Sequence, residues 1–168
     1  MKKILVLFIL VFVGNMFLQA QNPDSLMIDL AKNEGAMRQI IDQTMLKSSL
    51  DKAATQDPSE GPVSKKKSFL QKIDSMEVIT LEDQPSEVSD TLLNSLDQLK
   101  DNNGFTTLIK VRDSGDNVQI IAKKDGESIS NVYIFVVDES DIVAVKMNGI
   151  LTQSDLEDII KEQTKNKK

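Results

Sequence analysis

The chain contains no cysteine, no histidine and no tryptophan, and only one tyrosine. Each absence removes a class of chemistry. Without cysteine there is no disulfide, so the hydrophobic core must carry stability even in an oxidising compartment. For the same reason the N-terminal segment lacks the cysteine on which a bacterial lipoprotein is acylated. Without histidine or cysteine, Ser-His-Asp and Cys-His triads are excluded, as are zinc sites built on those ligands. Aromatic residues make up 4 % of the chain, too few to line the sugar-binding cleft that a carboxylate-pair glycosidase needs. The formal charge of −6 argues against nucleic acid or anionic lipid as a partner, because both need a basic surface. No enzymatic activity and no cofactor are expected.

What is present begins with an export signal. Lys2 and Lys3 precede an apolar run from Ile4 to Val13, and Leu18-Gln19-Ala20 offers a small residue for cleavage before Gln21. Basic start, apolar centre and small-residue cut form the three-part layout of a secretory leader. The run is short for a spanning helix, which needs about 20 apolar residues. The expectation is a cleaved leader over residues 1–20 and no stable membrane insertion afterwards. Cleavage removes Lys2 and Lys3 but no acid, so the charge falls to −8. The rest is long enough for one ordinary domain. It reads as an N-terminal segment at 21–34, a single domain at 35–164 with an internal loop at 55–67, and a tail at 165–168.

Along that stretch, Leu26, Met27 and Leu30 point to a short helix capped near Asp24 or Ser25, broken by Gly35. From Ala36 to Leu50 the spacing of Met37, Ile40, Ile41, Met45 and Leu46 fits a helix, or a strand to about Asp42 and then a helix. Period alone does not decide between them. Asp57-Pro58-Ser59-Glu60-Gly61-Pro62 is a loop signal. Lys65-Lys66-Lys67 reads as the solvated start of a helix rather than an anion site, since three like charges fall short of an interaction block. Met76 to Leu81 is a predicted strand. Val88, Leu92, Leu93, Leu96 and Leu99 form the stripe of a helix opened by Pro85 and stopped by Asn102-Asn103-Gly104.

The C-terminal half reads as four strands. They run from Phe105 to Arg112, across Val118 to Lys123, from Ile129 to Val137 and from Ile142 to Met147. Asp113 to Asp116, Asp125-Gly126 and Asp138 to Ser140 supply the turns, with Asp125-Gly126 expected as a type I′ hairpin. Ile129 to Val137 is nearly all apolar, as in a strand buried on both faces. Asn148-Gly149 is expected to end the last strand. A helix beginning at Thr152-x-x-Asp155 or Ser154-x-x-Glu157 presents Leu156, Ile159 and Ile160 to the sheet. The predicted class is α+β: an antiparallel sheet with a C-terminal four-strand meander and helices on one face.

This half also carries a resemblance. Asn117-Val118, Gly126, Ile129, Val132 to Val137, Gly149 and Leu156 to Ile160 are similar to the pattern of the DUF4252 family of exported Bacteroidetes proteins. The upstream stretches EGAMRQIIDQTMLK and SFLQKIDSMEVITLED also resemble it, so the likeness covers roughly residues 26–162. It departs at Asn131, where members often have an acid, and in lacking the lipoprotein cysteine many members carry. The resemblance implies export and a strand at about Ala36–Asp42 followed by a helix. It transfers no active site.

The remaining candidates for chemistry each have a plainer reading. Asp113-Ser114-Gly115-Asp116-Asn117 is a hairpin turn rather than an EF-hand loop, since Lys124 stands where the bidentate Glu would be. Asp138, Glu139 and Asp141 suit a solvated turn better than a weak Ca²⁺ site. Ser64 to Lys67 fits S-x-x-K as a string, but nothing in a polar loop lowers a lysine pKa. Tyr133 belongs to the core. The expected function is that of an uncharacterised exported envelope protein, in the periplasm or outside the cell. It would act as a non-catalytic binding module for another cell-envelope protein. An exposed edge strand could add a partner strand, or the sheet face free of helices could dock one. Thr106, Lys110, Arg112, Gln119 and Lys123 are the residues expected on or near that face. The alternatives are a small-molecule or lipid carrier, with a cavity lined by residues such as Leu92, Leu96, Ile134 and Val136, or a hydrolase using carboxylates alone.

Overall fold

The computed structural model describes residues 22–56, 70–113, 115–138 and 140–157. The leader at 1–20, most of the 55–67 loop with Ser64 and Lys65 to Lys67, and the apolar pair Ile159 and Ile160 lie outside them.

Helix α1, Pro23–Leu30, is started by Asn22, whose side chain accepts from the Ser25 backbone while Ser25 bonds back to the Asn22 backbone. The cap is thus Asn22 rather than Asp24 or Ser25, and Pro23 takes the first helical position, where its missing N–H costs nothing. Strand β1, Met37–Asp42, follows, and helix α2, Gln43–Gln56, starts directly after it. Asp42 accepts from the Met45 backbone at 2.8 Å and so caps α2. That is the strand-then-helix arrangement implied by the family likeness.

Strand β2, Ile73–Leu81, leads to helix α3, Ser86–Gln98. Four strands then run consecutively: β3, Phe105–Asp113; β4, Asp116–Asp125; β5, Ser128–Val137; β6, Ile142–Leu151. The sheet order is β1-β2-β6-β5-β4-β3, and every neighbouring pair is antiparallel. The meander returns from the far edge to seat β6 against β2. A further helix, α4, is described over 153–157. The α+β class, the antiparallel sheet and the C-terminal meander are as expected, and β5 is buried on both faces as its sequence predicts.

The helices differ in placement: they lie on both faces. One core joins Leu26, Met27 and Leu30 of α1 and Leu92 and Leu96 of α3 to Ile79, Tyr133, Phe135 and Ala144 of the sheet. The other, built on Ile120, Ala122, Val132, Ile134 and Met147, is closed by Leu156 of α4, with Leu46 of α2 and Leu70 against it. The reason is alternation: Tyr133 and Phe135 face one way, Val132 and Ile134 the other. A central strand apolar on both sides needs cover on both.

Three local details also differ. Helix α3 stops at Gln98, with Leu99 already extended; Asn103 and Gly104, at φ 50° and 84°, instead shape the turn into β3. The β4–β5 loop is Gly126-Glu127, because Asp125 pairs with Ser128. Only Gly126 has positive φ (63°), the pattern of a II′ rather than a I′ turn. Strand β6 runs on through Asn148-Gly149 to Leu151.

Candidate functional site

A sheet with two edges has two places where backbone N–H and C=O groups lack a strand partner, and natural proteins guard such edges. The β3 edge is guarded. Its register shifts between Thr107 and Ile109, a bulge that disturbs further pairing. Its outer half carries Lys110, Arg112 and Asp113. The β1 edge is not. Its pairing with β2 runs without a shift from Met37 to Asp42, and the strand is exposed along almost its whole length. Met37 and Ile40 are 56 % and 57 % exposed, and they lie on opposite faces of the pleat. Arg38, Ile40 and Asp42 share one face. Arg38 is held toward β2 by a 2.6 Å bond from its Nε to Glu77 Oε1.

The five residues expected on a helix-free face are not gathered on one. Lys110 and Arg112 pair in register with Gln119 and Asn117 on the face that α3 covers. Asp97 of α3 receives both cations, Lys110 at 2.6 Å and Arg112 at 2.5 Å. Those two bonds hold the Asp97 carboxyl below the usual carboxylate range. Gln119 is buried, its amide reaching the Leu96 carbonyl at 3.4 Å. Lys123 lies on the same face, its ammonium 5.4 Å from the Phe105 ring centre. Thr106 pairs with Ala122 and so belongs to the opposite face. The alternation holds strand by strand, but which face α3 covers depends on its path across the sheet. Four of the five are therefore under or beside a helix.

Where α1 meets the sheet, Tyr133 donates to Asp24 Oδ1 at 2.8 Å and Lys146 to the same oxygen at 2.6 Å. Burial pushes the Tyr133 hydroxyl pKa upward, and the Asp24 carboxylate adds to it. Burial alone would also raise Asp24, but the bonds from Lys146 and Tyr133 outweigh it and bring the carboxyl below its ordinary value. A hydroxyl held this firmly protonated is a donor that fastens α1, not a nucleophile. Beside it a polar row crosses three strands. Asn148 donates to Ser75 at 2.8 Å, Asn131 to Asn148 at 2.6 Å and Ser130 to Asn131 at 3.0 Å. These amides sit at the register shifts of β2–β6 and β5–β6, and their bonds are spent within the sheet.

Leu92 and Leu96 belong to one core and Ile134 and Val136 to the other, so the four cannot line a common cavity. A groove of about 380 Å³ lies between α1 and α3 and is lined by Leu26, Leu30, Val88 and Leu92 with Asp29 and Glu87. Asp113 and Asp116 pair across the β3–β4 turn. Asp141 accepts from the Asp83 backbone at 3.1 Å, and Glu139 lies outside the described residues. Among the described residues no group of three or more carboxylates is placed to hold a metal ion, and no helix is long and apolar enough to cross a membrane.

The β1 residues carry a signal that the helix-or-strand ambiguity conceals. As a strand, MRQIID has large apolar side chains on both faces, and among the described residues no strand pairs with its outer edge. A family model described as a domain of unknown function, DUF4252, matches residues 30–159. No curated protein and no solved structure matches the chain.

Proposed function

The chain belongs to the DUF4252 family, and from that premise we propose that it is an exported, non-catalytic binding module that docks an envelope protein along β1. The observation that carries this is the asymmetry of the two edges. Both edges carry charges, but the register of β3 is shifted at Thr107–Ile109, whereas that of β1 is regular, with Met37 and Ile40 exposed. Strand addition gains affinity from main-chain bonds and specificity from alternate side chains, and β1 presents both. Export rests on the leader sequence. Cleavage before Gln21 would also leave Asn22 in the chain, and Asn22 is the cap on which α1 depends.

The test is affinity purification from envelope fractions with the wild type, with a Met37→Lys, Ile40→Lys variant and with Val111→Lys as a control on β3. All three positions are exposed, so folding should be unchanged by circular dichroism. The β1 variant should lose the retained partner and the β3 variant should keep it. Equal retention by all three would overturn the reading. The groove between α1 and α3 supports a second reading, carriage of a small molecule, and native mass spectrometry separates the two: a retained ligand mass favours carriage, a bare chain favours docking.

A further inference from the structure

We propose that the occupant of β1 is a second copy of this chain, paired antiparallel about a two-fold axis at Ile40. The inference rests on the reading of β1 as a docking edge and adds the identity of the partner. Antiparallel self-pairing sets residues of the two copies opposite each other in pairs whose numbers have a constant sum. Centred on Ile40, the register places Ile40 against the partner's Ile40, Gln39 against the partner's Ile41, and Arg38 against the partner's Asp42. By symmetry Asp42 faces the partner's Arg38. The only charged residues of β1 are Arg38 and Asp42, so among the two-fold registers open to this strand only this one puts a base opposite an acid.

Arg38, Ile40 and Asp42 share a face, so one apolar pair would be flanked by two ion pairs on the same side of the joined sheet. The two exposed isoleucines would cover each other. Directly opposed charges favour pairing and like charges oppose it, which fixes the register of a strand otherwise able to slip. The contacts already present leave room. Arg38 bonds Glu77 through Nε, and a guanidinium has five N–H donors. Asp42 accepts one bond from Met45, and a carboxylate accepts about four. A six-residue edge makes a small interface, well below the size of a stable one, so self-association should depend on concentration and on these charges.

The test is a charge swap read by sedimentation of the purified chain. Arg38→Asp sets acid against acid, and Asp42→Lys sets base against base. Each alone should weaken dimerisation by about tenfold or more. Mixed in equal amounts, the two variants should recover a heterodimer. The acid introduced at position 38 of one chain then faces the base introduced at position 42 of the other, and the native Asp42 of the first faces the native Arg38 of the second. Loss of the α2 cap or of the Glu77 bond could not be repaired by mixing, so recovery separates pairing from damage. Association unaffected by either swap, or not recovered by the mixture, overturns the two-fold pairing. A chain that stays monomeric in every form but retains another envelope protein through β1 overturns self-pairing and leaves the docking reading standing. A monomeric chain that retains nothing overturns both.

Discussion

Gly149 lies in the interior of β6, where that strand crosses the start of β2. A Cβ there would stand 2.2 Å from the Lys72 carbonyl oxygen and 3.0 Å from the Ile73 Cα. The obstacle is backbone, so nothing can swing aside. Gly149→Ala should cost about 1–3 kcal/mol or more as an overpacked site, read as a lowered urea midpoint at unchanged slope. Unchanged stability would mean the β2–β6 crossing is looser than described. Asn148-Gly149 was legible as a special position, but as the end of a strand. The close approach that demands glycine involves Lys72, distant in sequence, and no local pattern announces it. Asp125-Gly126 is a milder case: the hairpin was legible and its loop sits one residue further on, because the pairing of Asp125 with Ser128 decides which residues turn.

Helix α1 ends where the family match begins, at Leu30, yet Leu26, Met27 and Leu30 are all core residues. Burying each such side chain is worth about 1.5–3 kcal/mol. Met27→Ala should therefore destabilise the protein by about 2–5 kcal/mol, measured by thermal or chemical unfolding. A loss under about 0.5 kcal/mol, the range of a surface change, would show α1 to be an appendage instead of part of the fold. The helix itself was legible from the Leu26, Met27, Leu30 spacing. Its clasp, Asp24 between Tyr133 and Lys146, was not, since those partners lie on two other elements. The split between β1 and α2 was hidden for a different reason: Met37, Ile40, Ile41 and Met45 satisfy a helical period and a strand–helix junction equally. The cap at Asp42 resolves it in the structure. Leu46 and Leu156 reach a second core that the expectation of one helical face had no place for.

At the scale of the whole molecule, the lack of histidine and cysteine leaves no side chain with an ordinary pKa between about 5 and 8. The shifted carboxyls all move one way. Asp97 is lowered by Arg112 and Lys110. Burial would raise Asp24 and Asp155, but Lys146 and Tyr133 at the first and Lys72 and Thr152 at the second bring both below the ordinary value. A carboxyl depressed in the folded state contributes stability that is fully present above its unfolded pKa of about 3.9 and is lost as pH falls through the folded value. Stability should thus be flat from about pH 5 to 8 and fall below about pH 4. A clear slope near pH 6–7 in the unfolding free energy would contradict this.

The sheet, its meander and its α+β class were readable from strand patterns because β3 to β6 are consecutive and joined by short turns. The site was not, because edge status is a property of the sheet order. Among the described residues, the return of β6 to β2 leaves β1 as an edge, and the path of α3 puts Lys110, Arg112 and Gln119 under a helix. The absence of native cysteine gives the most direct test of the claim that β1 pairs with β1 of a second copy. Ile40→Cys and Val111→Cys, each the sole thiol in its chain, would be produced in the envelope and treated with a mild oxidant and a short thiol cross-linker. A cross-linked species is expected at position 40, at the mass of two copies, and none at position 111. Cross-linking at 111 alone, or at neither position, would contradict it.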